Sequence, residues 1–124
     1  MFAVAAGGAL GALARFGVSN WVHAVAGTSF PWGTIVVNVS GSFLFGLLYR
    51  WMESTTASPA FRAGVLIGLL GAFTTFSTFS YEAIVLARDG QYGRALAYVM
   101  GSVVAALFGL FLGYGAGGAF AAGR

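Results

Sequence analysis

The sequence has no cysteine and no lysine, and it contains only one histidine and three acidic residues. The missing cysteines exclude disulfides, thiolate metal sites and cysteine nucleophiles. The one histidine, His23, has no carboxylate near it in the sequence, so we do not expect it to ligate a metal. We recognise no nucleophile–base pair, and an enzyme is therefore not expected. The six arginines mostly flank apolar segments, which indicates topology anchors and not a nucleic-acid surface.

The apolar content of the chain is high: 59% of its 124 residues are hydrophobic and only 7% are charged. This composition is typical of an integral membrane protein, and about 20 apolar residues suffice to cross a bilayer. We expect one all-α domain with four transmembrane helices, at roughly 2–22, 32–51, 61–87 and 95–115. The first apolar stretch is long and no basic residue precedes it, which favours a retained helix over a cleaved signal peptide.

The third apolar segment carries a patch of hydroxyl side chains. Five of them fall within seven positions, at Thr74, Thr75, Ser77, Thr78 and Ser80. Because such hydroxyls bond to nearby backbone carbonyls, and Gly71 precedes them, we expect the helix to break here. Irregular backbone at membrane depth is stable only inside protein or beside a watery cavity. The patch therefore indicates an ion pathway, or else a kinked helix whose hydroxyls hold neighbouring helices together.

Phenylalanines recur every three residues through this patch, at Phe73, Phe76 and Phe79. On a continuous helix they form one slowly drifting stripe, which is usually core or lipid-facing packing. Aromatic ring edges carry partial positive charge, so edges next to hydroxyls would also make a wall that tolerates an anion.

Other polar residues lie inside the expected spans. Asn38 and Ser42 are four apart in the second span, as are Tyr98 and Ser102 in the fourth. An amide at this depth is either a clamp between helices or a donor to a ligand. Glu82 follows Thr78 by four residues, so it either shares a face with it or lies solvated at the membrane edge. Arg15, in the first span, either snorkels to the interface or needs a partner inside.

The arginines give little orientation signal. Four spans place Arg50, Arg62 and Arg124 on one side and Arg88 and Arg94 on the other, with Arg15 undecided. The positive-inside rule needs an excess on one side, and here the excess is one or none. Four short helices also enclose too little space for a pore alone. We therefore expect dual topology and an antiparallel homodimer.

These residues together resemble the Fluc, or CrcB, family of fluoride channels. The resemblance covers all four spans and rests on three ordered motifs: residues 7–16, with paired glycines and Arg15; Gly33, Thr34, Val37, Asn38, Gly41 and Phe43; and Gly71 with residues 74–79. It implies an antiparallel, dual-topology homodimer in the bacterial inner membrane that passively exports cytoplasmic fluoride. Its partners are fluoride, the lipid bilayer and a second copy of the chain, and no nucleic acid.

The resemblance also implies roles for single residues. A sodium ion at the dimer centre would be bound by the backbone carbonyls of Gly71 and Thr74. The fluoride pathway would be lined by Asn38, the ring pair Phe76 and Phe79, the hydroxyls of Ser77, Thr78 and Ser102, and Glu82. The fourth span departs from its relatives, because the hydroxyl track of Tyr98 and Ser102 is followed by Ala106.

Two other membrane functions compete with this interpretation. A small dual-topology multidrug exporter has a similar size, but it uses a glutamate in its first helix, where this chain has Arg15 and no acid. A purely structural membrane subunit would not need the hydroxyl patch.

Overall fold

The fold is described by a computed structural model, which covers residues 1–123. The described residues contain four helical segments that are long and apolar enough to cross a membrane, as expected. Helix α1 spans Phe2–Ala26, α2 spans Trp32–Glu53, the third span runs over Pro59–Arg88 and the last helix covers Tyr92–Ala122. Each extends beyond the apolar core that the sequence indicated, and residues 23–26, expected in a loop, are still helical. Arg124, used in the charge count, lies outside the described residues.

The third span is not one regular helix. It begins with α3 (Pro59–Arg62), widens into a π-helix (Ala63–Leu70), and returns to one α-turn, α4 (Gly71–Phe73). Thr74 is extended, with φ −76° and ψ 158°, and helix α5 (Ser77–Arg88) starts after Phe76. The expected break is therefore present, but it follows Gly71 by three residues, and Gly71 itself is helical. The final helix, Tyr92–Ala122, is α6.

The first half of the third span packs closely on α1. Gly7 and Gly11, four residues apart on α1, lie against the backbone carbonyls of Gly64 and Leu69 on the π-helix. A Cβ at either position would overlap those carbonyl oxygens. We call such a contact a glycine seam: the small residues let two helices approach until their backbones touch. Close packing of this kind holds helices together in lipid, where the hydrophobic effect does not drive them to associate.

A second glycine seam joins α2 to α6, the largest helix contact in the chain. Gly113 of α6 lies against the carbonyl of Phe43, and Gly109 lies near that of Val39. The other half of the third span, α5, packs on α6 differently, through a buried cluster of Phe79, Leu86, Ala95 and Tyr98. The four spans are thus held by two backbone seams and one side-chain cluster.

Arg62 ties the loop between α2 and α3 to the helices. Its guanidinium donates to the backbone carbonyls of Met52, Thr55 and Ala57, which lie at and beyond the end of α2. Ser58 caps α3, because its hydroxyl accepts from the amide of Phe61 at 3.2 Å. Arg62 therefore fixes the loop after α2 to the start of the third span.

Candidate ion pathway

The break in the third span is held by Asn38 of α2. The Asn38 side-chain amide donates to the carbonyl of Thr75 at 2.9 Å, and its oxygen accepts from the amide of Thr75 at 2.7 Å. Both halves of the Asn38 amide therefore replace helical bonds that Thr75 has lost. Asn38 thus makes the clamp between helices that the sequence allowed as one of two roles.

This pairing diverts backbone amides from their usual acceptors. In a continuous α-helix, the amide of Thr75 would bond to the carbonyl of Gly71, and that of Thr78 to the carbonyl of Thr74. Here the Thr75 amide donates to Asn38, and the Thr78 amide donates to the Thr75 hydroxyl at 3.2 Å. The break therefore releases the Gly71 and Thr74 carbonyls from their α-helical partners.

The hydroxyls of the patch gather around Thr75. Its Oγ1 lies 3.1 Å from that of Thr78 and 3.5 Å from the Oγ of Ser77. Thr75 is buried, whereas Ser77 and Thr78 are exposed on the surface of the single chain. Thr74 and Ser80 instead bond back to carbonyls four residues earlier, at Leu70 and Phe76. The patch is therefore a short hydroxyl cluster with an exposed edge.

A cavity of about 250 Å³ opens beside the break. Its walls come from α2, the break and α6, and consist of Asn38, Ser42, Thr74, Thr75, Phe76, Phe79, Ser102, Val103 and Ala106. The Ser102 side chain is 4% exposed, and its Oγ has no hydrogen-bond partner among residues 1–123. A buried hydroxyl without a partner is costly, so Ser102 is a donor available to a guest in this cavity.

The carboxyl group of Glu82 lies beyond Phe79 and is bound by two neighbouring helices. Thr34 of α2 donates to its Oε1 at 3.0 Å, and Tyr98 of α6 donates to its Oε2 at 2.7 Å. The ring of Phe79 packs on Tyr98, with centroids 5.2 Å apart, and on Phe76, at 5.6 Å. Glu82 is thus bonded to protein donors, and it is not simply solvated.

A second cavity, of about 310 Å³, lies beside Glu82. Polar and charged groups line it, among them His23, Glu82, Asp89 and Gln91. Phe79 lines the first cavity and Glu82 the second, and the two are three residues apart on α5. The residues of α5 that line the two cavities are therefore about one helical turn apart.

Comparison of the sequence with known proteins assigns the chain to a family. Residues 2–114 match the family model described as CrcB-like protein, Camphor Resistance (CrcB). A protein of Thermus thermophilus named fluoride-specific ion channel FluC is 47% identical over 94% of this chain and 91% of its own length. Its namesake in Geobacter sulfurreducens is 46% identical over 91% of this chain and 92% of its own length. The chain belongs to the CrcB family.

The structure brings most of the residues predicted for the CrcB pathway to one place. Asn38, Phe76, Phe79 and Ser102 line the first cavity, and Glu82 lines the second. Ser77 and Thr78 lie at the hydroxyl cluster beside them. Their roles toward an ion stay predictions.

The single phenylalanine stripe, in contrast, is wrong. The helix breaks between Phe73 and Ser77, so Phe73 packs near Gly41 of α2, while Phe76 is 79% exposed and Phe79 is buried.

Arg15, in the first span, has no hydrogen-bond or ion-pair partner in the described part of the chain.

Two residues with a central place in this CrcB site were not singled out as site residues from the sequence. Thr75 is the hub of the hydroxyl cluster, and Thr34 is a donor to Glu82. A signal for Thr34 was present, because Thr34, Asn38 and Ser42 follow each other at intervals of four and share a helical face. Nothing in the sequence distinguishes Thr75 from Thr74, since the difference depends on where the helix ends.

Proposed function

We propose that this protein is a fluoride channel that passively exports cytoplasmic fluoride across a bacterial inner membrane. The observation that carries the proposal is the similarity, at 46–47% identity over most of the chain, to proteins named fluoride-specific ion channel FluC. The chain is a multi-pass membrane protein with four spanning helices, and its family consists of ion channels, which is not a class of enzymes.

The chemistry of the first cavity suits a small, strongly hydrated anion. Such an ion leaves water only where donors replace its hydration shell, and conduction needs binding that is adequate but weak. The cavity is lined by Ser102, whose hydroxyl has no partner among residues 1–123, by Asn38 and by the rings of Phe76 and Phe79. None of these carries a full positive charge that would trap the ion, and ring edges supply only weak positive potential.

Fluoride efflux from proteoliposomes containing only this protein tests the proposal. Vesicles loaded with potassium fluoride and given a potassium ionophore should release fluoride when the protein is present. Vesicles loaded with potassium chloride serve as the control and should keep their anion. Retention of fluoride by vesicles that contain folded protein would refute the proposed function, and equal release of chloride would refute its selectivity.

We further propose that the functional unit is an antiparallel, dual-topology homodimer. Support comes from the break itself, because Gly71, Phe76, Ser77 and Thr78 are exposed in the single chain at membrane depth. Irregular backbone and exposed hydroxyls are not tolerated against lipid, so another protein surface must cover them. The near balance of arginines on the two sides supports insertion in both orientations.

Labelling from one side of the membrane tests this orientation. Thr56 is exposed in the loop after α2, and the chain has no cysteine of its own, so Thr56→Cys provides one reactive site. An impermeant thiol reagent applied to intact cells should label about half of the protein, because each orientation exposes the loop on one side only. Labelling of all or none of it would exclude dual topology.

A sodium ion at the dimer centre is the third part of the proposal. Its ligands would be the Gly71 and Thr74 carbonyls, which fit because the break releases them from α-helical bonds and Gly71 is exposed. Backbone oxygens suit a hard monovalent cation. When bound, the cation would supply positive charge near the pathway. A heavier monovalent ion used for crystallisation should give anomalous density between the two copies of Thr74, and apolar packing without density there would refute the site.

A further inference from the structure

Arg94, at the start of α6, is held in a fixed position outside the apolar core. Its guanidinium carbon lies 5.3 Å from the centre of the Phe30 ring, and its Nη1 donates to Oε1 of Gln91 at 3.1 Å. The side chain is exposed, and it has no carboxylate within ion-pair distance among residues 1–123. Its charge is therefore positioned by an aromatic ring and an amide, neither of which neutralises it.

Arg94 does not line the second cavity, but the residues that hold it lie at or next to the lining. Gln91 lines that cavity, as do Ser29 and Pro31 on either side of Phe30. Beneath Phe30 lies Tyr98, with its ring edge-on at 5.7 Å, and Tyr98 donates to Glu82 inside the cavity. Arg94 is thus bonded to one residue of the lining, Gln91, and stacked on a ring that contacts the partner of Glu82.

The carboxyl groups in the lining of the second cavity face no arginine within that lining. Glu82 and Asp89 lie on its wall, together with His23. Arg88 is also exposed and, like Arg94, does not line the cavity, but unlike Arg94 it makes no hydrogen bond to a lining residue among residues 1–123. A cavity with two carboxyl groups and no fixed cation would repel an anion that approaches from water.

We propose that Arg94 is the residue that concentrates fluoride at the mouth formed by the second cavity. This inference rests on the proposed channel function and names a step within it, the entry of the ion from water. The attraction acts over about 10 Å through solvent, where a unit charge raises the local anion concentration about twofold, and low-dielectric walls strengthen the effect. Because the charge is exposed, salt should screen it.

The test compares fluoride currents of reconstituted parent, Arg94→Gln and Arg88→Gln at low fluoride concentration. Ionic strength is set with potassium glutamate at about 10 mM and about 1 M, where the Debye length is about 30 Å and 3 Å. Arg94→Gln should reduce the current about two- to fourfold at low ionic strength and leave it unchanged at high ionic strength. Arg94→Lys, which keeps the charge, should stay close to the parent, and Arg88→Gln should lose less than Arg94→Gln.

A second measurement does not depend on comparing separately folded variants. In the cysteine-free chain, Arg94→Cys can be modified within one sample by a cationic or an anionic methanethiosulfonate reagent. At low ionic strength the cationic adduct should raise the current and the anionic adduct should lower it, with no change for the parent. Equal currents for all adducts, or equal loss at both ionic strengths, would overturn the role of Arg94. A parent that carries no fluoride would instead refute the channel function itself.

Discussion

The two halves of the third span lie in one segment but are held by opposite means. The first half, Pro59–Phe73, packs on α1 through the glycine seam, where backbone touches backbone. The second half, Ser77–Arg88, packs on α2 and α6 through side-chain hydrogen bonds and rings around Glu82 and Phe79. The first half is therefore held by close packing of backbone on backbone, whereas the second half carries the polar side chains of the candidate pathway.

Asn38 stands where the two halves meet, and its two bonds to Thr75 set the direction in which the second half leaves the break. A defect in the first half should therefore unfold the protein, whereas a defect in the second half should leave it folded and change its conduction. The substitutions below are arranged from the largest expected effect to the smallest.

The largest effect is expected from Gly11→Ala. Its Cβ would overlap the Leu69 carbonyl, which belongs to backbone and cannot turn aside, so α1 must move off the π-helix. We expect a loss of about 2–3 kcal/mol of stability, seen as a lower temperature of aggregation in detergent. Gly17→Ala is the matched control, because that glycine of α1 has open space around it, and its stability should be unchanged or slightly higher. Equal destabilisation of both variants would show that the seam is not specific.

At the junction, we expect Asn38→Asp to stop conduction nearly completely. A carboxylate has no hydrogen to donate to the Thr75 carbonyl and would place oxygen against oxygen, which costs about 2–3 kcal/mol at this site. It would also bring negative charge to the wall of the first cavity and repel an anion. Fluoride efflux should fall at least about tenfold.

Asn20→Asp, at an exposed position on α1, provides the control for the change of charge and should conduct as the parent does. If Asn38→Asp keeps a normal oligomer and a normal efflux rate, Asn38 neither positions the break nor serves the pathway.

The three phenylalanines around the break should differ in their effect on fluoride efflux. Ile keeps most of the bulk of Phe but removes the ring edge. Phe76→Ile and Phe79→Ile should therefore reduce fluoride efflux about tenfold while remaining folded. Phe73→Ile should stay close to the parent, because Phe73 packs near Gly41 on the other side of the break and does not line the first cavity. Equal loss in all three variants would mean that the rings matter only for packing.

The smallest effect is expected from Tyr98→Phe. This change removes one hydrogen bond to Glu82 and keeps the ring contacts with Phe30 and Phe79. We expect a loss of about 1–2 kcal/mol in stability and a few-fold change in fluoride efflux. Tyr92→Phe, at the exposed start of α6, is the matched control. If Tyr98→Phe changed neither the stability nor the fluoride efflux, the bond to Glu82 would not contribute to the structure of the second half of the third span.

The sequence predicted the four spans and the break because both follow from composition, apolar length and local hydroxyl content. It also drew attention to Asn38, Ser102 and Glu82, because polar groups are costly in apolar spans, and their roles toward an ion stay predictions. It could not locate the break within the patch, because Thr74 and Thr75 have the same propensities and differ only in that Asn38 reaches one of them. The phenylalanine stripe failed for the same reason, as helical spacing has no meaning across a break.

The π-helix between Ala63 and Leu70 bears on how this chain tolerates insertions and deletions. A π-helix closes its hydrogen bonds one residue later than an α-helix does, so each of its turns holds more residues. Deleting one residue there would let the segment rewind as α-helix, so the wide turns would absorb much of the loss. The chain beyond would then turn by less than the about 100° that the same deletion causes in a regular α-helix. A one-residue deletion should therefore disturb the pairing of Thr75 with Asn38 less in this segment than a deletion from the regular helix α2 before Asn38 would.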